Sequence, residues 1–161
     1  MNAIEKKARE WLTWVEAVRL THYARGDTFR KYNNEIGLAA VVFSTIVSAG
    51  ILTSLHKDPG FWWTVAAAIV AVLAAGLTGI RSYLKLGELS ELHRKAGAKF
   101  GDVARDLELF LADPPSAQAS VSQLEQIAGR IAKLEDAGPG FPAKVFQKKY
   151  EQVKKRGKQA P

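Results

Sequence analysis

Two uncharged stretches dominate the hydrophobic pattern of this chain. Ile36 to Leu55 and Phe61 to Ile80 each run for twenty positions without Asp, Glu, Lys or Arg. As a helix, either stretch would be about 30 Å long, the thickness of bilayer hydrocarbon. The first holds ten Leu, Ile, Val or Phe residues, which together favour insertion by about 3–6 kcal/mol. Its hydroxyl residues, Ser44, Thr45, Ser48, Thr53 and Ser54, can bond back to the helix backbone. The second holds eight such apolar residues with two Trp and six Ala, and is expected to insert as half of a hairpin with one face against protein. Neither stretch keeps the polar face normal for a soluble helix. The competing reading is a pair of buried helices in a soluble bundle.

The residues between the stretches, "HKDPG" at 56–60, predict a tight turn. Pro59 cannot continue a helix interior and Gly60 adopts turn conformations cheaply. Trp62 and Trp63 follow at once, where an interfacial aromatic belt would lie.

Outside the two spans the pattern becomes amphipathic. Ile4, Ala8, Trp11, Val15 and Val18 recur at helical spacing, with Gly26 as the expected stop and Asp27 as the cap of a following helix. Beyond the second span, Leu89, Leu92, Ala96, Phe100, Val103, Leu107 and Phe110 repeat at three and four. Span and stripe together would form one helix of about 75 Å from Phe61 to Leu111, with Gly87, Gly97 and Gly101 as its weak points. "ADPPSAQAS" breaks the chain. Ser120 with Gln123, or Ser122 with Glu125, would cap the next helix, whose apolar side is Leu124, Ile127, Ile131 and Leu134. "AGPGFP" ends it, and the basic tail reads either as a last helix or as a solvated segment near anionic lipid.

Charge sharpens this picture. The net charge is +7 and the mean hydropathy only −0.09, an average that hides the segregation of apolar and charged residues. Arg19, Arg25, Arg30 and Lys31 precede the first span. Arg81, Lys85, Arg94, Lys95 and Lys99 follow the second, while the turn carries only Lys57. Positive charge near spans stays inside, so both termini are expected in the cytoplasm and the turn outside. The basic excess is thereby read as topological, and no nucleic-acid partner is expected. The first 35 residues contain seven Lys/Arg and no apolar core, so no cleavable signal is expected. The chain is thus expected to be one all-α membrane domain: a lead at 1–35, spans at 36–55 and 61–80 around the turn at 56–60, and cytoplasmic helices and tail at 81–161.

No catalytic pattern is legible. Cysteine is absent and the three histidines, His22, His56 and His93, are scattered. No phosphate-cradling loop or metal-ligand spacing occurs, so neither enzyme activity, metal nor cofactor is expected. His93 reads as a packed or surface histidine, with a proton sensor as the alternative. The spans carry no ionisable residue, which argues against proton-coupled transport but not against a pore. In the second span Ala67, Ala71, Ala75 and Gly79 recur every four residues. Gly37, Ala40, Ser44 and Ser48 form a comparable face in the first. Such small faces let helices approach closely in lipid, either sealing the hairpin or building a homo-oligomer. One hairpin cannot enclose water, so any pore requires several copies, with Ser44 and Ser48 as the candidate lining.

The segment order also resembles a known family. "HYARGDTFRKYNNEIGLAAVVFSTIVSAGI" leads into the first span. "ELHRKAGAKFGDVARDLELFL" follows the second, and "LEQIAGRIAKLEDAGPGFPAKVF" ends the pattern. This is similar to the SLATT family, the two-span effector domains associated with SMODS nucleotidyltransferases and SLOG sensors. The similarity runs over roughly residues 10 to 150. Its marks are Arg25, Tyr32 and Gly37, His93 and Ala96, Arg105-Asp106-Leu107, and Pro139 with Pro142. The resemblance implies a bacterial inner-membrane effector of antiphage conflict systems, unleashed by a sensor partner or nucleotide signal. It implies no catalytic residue. With no fused sensor domain, the trigger is expected from a separate molecule. A non-conducting anchor or scaffold that recruits a soluble partner explains the same hairpin and is the alternative.

Overall fold

The structure is a computed structural model in which residues 3–54, 60–113 and 116–159 are described. Among these, every regular element is an α-helix: α1 (Ala3–Ser54), α2 (Phe61–Leu84), α3 (Leu86–Ala112), α4 (Ala117–Ala137) and α5 (Ala143–Gln159). The expected turn at 56–60 lies, except for Gly60, outside the described residues. Gly60 stands at the N-terminal end of α2, and its carbonyl accepts from the Trp63 and Thr64 amides at 2.9 and 3.3 Å. The tail resolves as α5, begun by the Pro142 carbonyl accepting from the Val145 amide at 3.0 Å.

The described chain forms two compact units, Met1–Asp27 with Ser90–Pro161, and Thr28–Leu89. In the first unit, the opening half of α1 packs with α3, α4 and α5. Ala8, Val15 and Val18 of α1, Phe100, Val103, Ala104, Leu107 and Phe110 of α3, and Leu124 and Ile127 of α4 make one buried cluster. Asp106 of α3 and Arg130 of α4 form an ion pair at its edge. The second unit is the antiparallel pair of α1 (from Thr28) and α2: Asn33 meets Arg81 at one end and Gly50 meets Trp63 at the other.

Four expectations change. The stop at Gly26 is absent, and α1 continues through it for 52 residues. Gly26 is a contact position instead. A Cβ there would stand 2.9 Å from Arg94 Cγ and 3.1 Å from the Ser90 carbonyl oxygen. Ser90 Oγ donates to the Gly26 carbonyl at 2.8 Å, and Arg94 pairs with Asp27 at 3.2 Å. The glycine lets α3 approach the α1 backbone, and the Ser90 and Arg94 contacts hold it there.

The long helix from Phe61 does not bend at a glycine. It breaks at Lys85, which is left-handed at φ 46°. Lys85 Nζ reaches Glu88 at 3.3 Å, and the next residue, Leu86, is buried. A side chain in this conformation costs about 1–2 kcal/mol, so Lys85→Gly should stabilise the chain by about 1 kcal/mol. The exposed ion pair lost with Lys85 is worth only a few tenths of that. A higher Tm for the variant checks this.

The apolar stripe of α3 is buried as expected at Ala96, Phe100, Val103, Leu107 and Phe110, but it fails at Leu92. Leu92 is 52% exposed, whereas its neighbour His93 is 2% exposed and faces inward with Ser90, Ala96 and Phe100. Finally, α4 starts at Ala117 with Ser116 at its cap position and no side-chain capping bond there. Neither Ser120 nor Ser122 caps it: Ser120 is buried inside the first turn, its amide bonded to the Ser116 carbonyl at 2.8 Å.

Candidate functional site

In the helix pair of the second unit, the less exposed positions of an otherwise bare α2 are Val65, Ala67, Val70, Ala71, Ala74 and Leu77. Opposite, α1 offers Gly37, Ala40, Phe43, Val47 and Gly50. A side-chain clasp joins the two helices at the Arg81 end. There Arg81 Nε donates to Asn33 Oδ1 at 3.1 Å, and a Cβ on Gly37 would lie 3.1 Å from the guanidinium. Between this clasp and the Gly50–Trp63 contact lies a groove of about 520 Å³. It is lined by Ser44, Val47, Ser48, Ala71, Ala74, Ala75 and Thr78.

Three hydroxyls therefore meet an alanine ridge. Ser48 Oγ donates to the Ser44 carbonyl at 2.9 Å and Thr78 Oγ1 to the Ala74 carbonyl at 3.0 Å. These two hydroxyls stay satisfied by their own helices while keeping acceptor capacity toward the groove. Of the residues singled out from sequence, Ser44, Ser48, Ala71 and Ala75 come together here. Ala67 is half-buried on the same face. A Cβ on Gly79 would meet nothing within 4 Å, so the ridge leaves the contact face before its last member. Thr78 lines the groove in its place, because contacts on a helix pair alternate between spacings of three and four.

The first unit holds a second arrangement, which the sequence did not reveal. His22 of α1 and His93 of α3 are both 2% exposed, with their Nδ1 atoms 3.0 Å apart. His22 stacks on Phe100 at 5.6 Å and receives the edge of Phe141 at 5.1 Å. One neutral ring donates its Nδ1 proton to the other; a second proton in that space would set N–H against N–H. Burial, then the neighbouring His93, pushes His22 down to about 4. Burial, then the Arg25 guanidinium, pushes His93 down as well. Two imidazoles make no complete metal site, and among the described residues no group of three or more His, Cys, Asp or Glu comes together.

The remaining marked positions scatter. Arg25, half-buried, acts on His93 as described, whereas Tyr32 is 53% exposed. Pro139 lines a shallow cavity with Phe100 and Leu134, and Pro142 starts α5. His22 is 71 residues from His93, and no periodicity in either segment couples them.

A family model described as SMODS and SLOG-associating 2TM effector domain family 4 matches residues 5–135. The chain belongs to the SLATT family. The match covers both helices of the groove, both histidines and most of α4. It ends before the loop carrying Pro139 and Pro142, so those two prolines and α5 lie outside the region that defines membership. No curated protein and no solved structure matches the chain. A SLATT domain is a two-transmembrane effector domain, and α2 meets the physical requirement for one such span. Among the described residues, the one stretch long and apolar enough to cross a membrane begins at Phe61, with a mean hydropathy of 2.0 over its best window and 6% of that window buried.

Proposed function

We propose that this SLATT protein is an oligomeric effector of a bacterial antiphage system. It sits in the inner membrane as a two-helix hairpin and opens a conducting path when a partner acts on its cytoplasmic helices. The observation that carries this reading is the bare surface of α2. Phe61, Trp62 and Val72 are 73%, 78% and 71% exposed, and Ile69, Leu73, Ile80 and Tyr83 are exposed with them. Burying such a surface in lipid is favourable, whereas water would leave it as an aggregation-prone patch. Arg30 and Lys31 before the first span, with Arg81 and Lys85 after the second, support cytoplasmic termini.

The groove supplies the candidate path. Ser44, Ser48 and Thr78 give it hydroxyls, while its alanines give it width and a constriction that can dewet. Several copies are needed to close water off from lipid. The first unit is the switch: a nucleotidyltransferase or sensor partner that prefers another arrangement of α1, α3 and α4 shifts the population toward conduction.

Protein reconstituted into anionic liposomes, alone and with the soluble proteins of its own system, should release a trapped dye in at least one of these states. The Ser44→Leu/Ser48→Leu double variant should cut that release by about tenfold or more, while alkaline extraction leaves it in the vesicles. Full dye retention in every state, with a soluble partner bound, would make the chain a non-conducting anchor.

A further inference from the structure

A groove on the first unit, separate from the hairpin and from the histidine pair, has the chemistry of a cation site. It measures about 590 Å³ and is bounded by Glu10, Trp11 and Trp14 of α1, Ile131 and Glu135 of α4, and Tyr150 of α5. That volume is typical of small-molecule sites. The aromatic walls are held in place from behind. Trp14 meets Phe100 edge-on at 6.2 Å and Phe146 at 6.4 Å, and Phe146 in turn meets Tyr150 at 5.8 Å.

Charge decides the ligand class. The chain carries 23 Lys/Arg against 16 Asp/Glu, yet the charged residues lining this groove are both carboxylates. Among the described residues, Glu10 and Glu135 take part in none of the ion pairs: the acidic partners are Glu16, Asp27, Glu35, Glu88, Glu91, Asp102 and Asp106. An anion would meet two like charges with no cation in the wall. A neutral apolar guest would desolvate carboxylates without pairing them. A cation pairs with the carboxylates and is attracted to the electron-rich ring faces. The protein itself illustrates the match, since Lys7 Nζ stands over the Trp11 ring at 5.7 Å.

We infer that this aromatic, twice-acidic groove binds a small organic cation, an ammonium compound with a short apolar body. Lys7 acts as an internal competitor for the Trp11 face. Because the groove is built from three helices, an occupant holds α1, α4 and α5 in the arrangement seen, and its loss loosens them. This is independent of whether the hairpin conducts.

The test uses the full chain in detergent micelles, with the indole N–H resonances of its tryptophans assigned. The probes are choline and 3,3-dimethylbutan-1-ol, which matches its shape without the charge. Choline should shift Trp11 and Trp14 saturably while Trp62 and Trp63 stay still, and the alcohol should bind about tenfold more weakly or worse. Glu10→Gln with Glu135→Gln should weaken choline by about tenfold at unchanged helix content, and Lys7→Ala should strengthen it. Equal binding of choline and the alcohol, unchanged binding by the double Gln variant, or no saturable shift would each overturn the inference. Saturation by an arginine-rich peptide but not by choline would also overturn it, by assigning the groove to a protein segment.

Discussion

Phe100→Ala is expected to cost about 3–5 kcal/mol and to open the first unit. The side chain is 1% exposed, lies in the buried cluster of α1, α3 and α4, meets Trp14 edge-on and stacks on His22. Truncation removes the transfer energy of a whole ring and leaves a cavity that two neighbouring aromatics cannot close. Domains of this size are stable by about 5–15 kcal/mol in total, so the loss is a large fraction. Native-state hydrogen exchange of the α1 and α3 amides in the full chain would measure it. Leu92→Ala is the control. Leu92 belongs to the same sequence periodicity, but it is half exposed in the fold and should cost no more than about 0.5 kcal/mol. Equal effects of the two substitutions would contradict the difference in burial between Leu92 and Phe100.

Acidification is expected to have an effect of similar size. His22 titrates at about 4 in the fold against 6.5 for an ordinary histidine. Between those values the unfolded chain binds a proton that the folded chain refuses. The contribution is therefore complete above pH 6.5 and is lost as pH falls toward 4, amounting to about 3 kcal/mol. His93 is lowered by burial and by Arg25 and acts in the same sense. Glu16 works against both, because burial raises its carboxyl above the usual range and so favours the folded state on protonation. The exchange free energy of the first unit, followed from pH 7 to 4, should fall steeply below 6.5. His22→Gln should flatten that slope, at the cost of some stability at neutral pH. A slope unchanged by the substitution would remove the histidine pair as its cause.

The long-range consequences of the pattern were legible because they depend on composition over many residues. Two uncharged runs, a basic flank on each side and an amphipathic stripe in α3 needed no partner to be recognised. The candidate groove was legible in part. Ser44, Ser48, Ala71 and Ala75 follow from small residues at helical spacing. Thr78 was missed and Gly79 lies outside the groove, because a four-residue ladder drifts off a contact face that follows three-and-four spacing. The expected stop at Gly26 illustrates a different failure. Glycine marks a helix end only when nothing needs its missing side chain, and here α3 does.

The sequence alone determined that this is an all-α SLATT chain with an apolar run, from Phe61, long enough for lipid. Hydrophobic segregation and helical period are properties of the chain taken one segment at a time. Only the tertiary structure decided that His93 rather than Leu92 turns inward, that it meets His22, and that Glu10 and Glu135 flank one aromatic groove. Those facts depend on the rotation of each helix about its own axis, and that rotation is fixed when several helices fill a common interior.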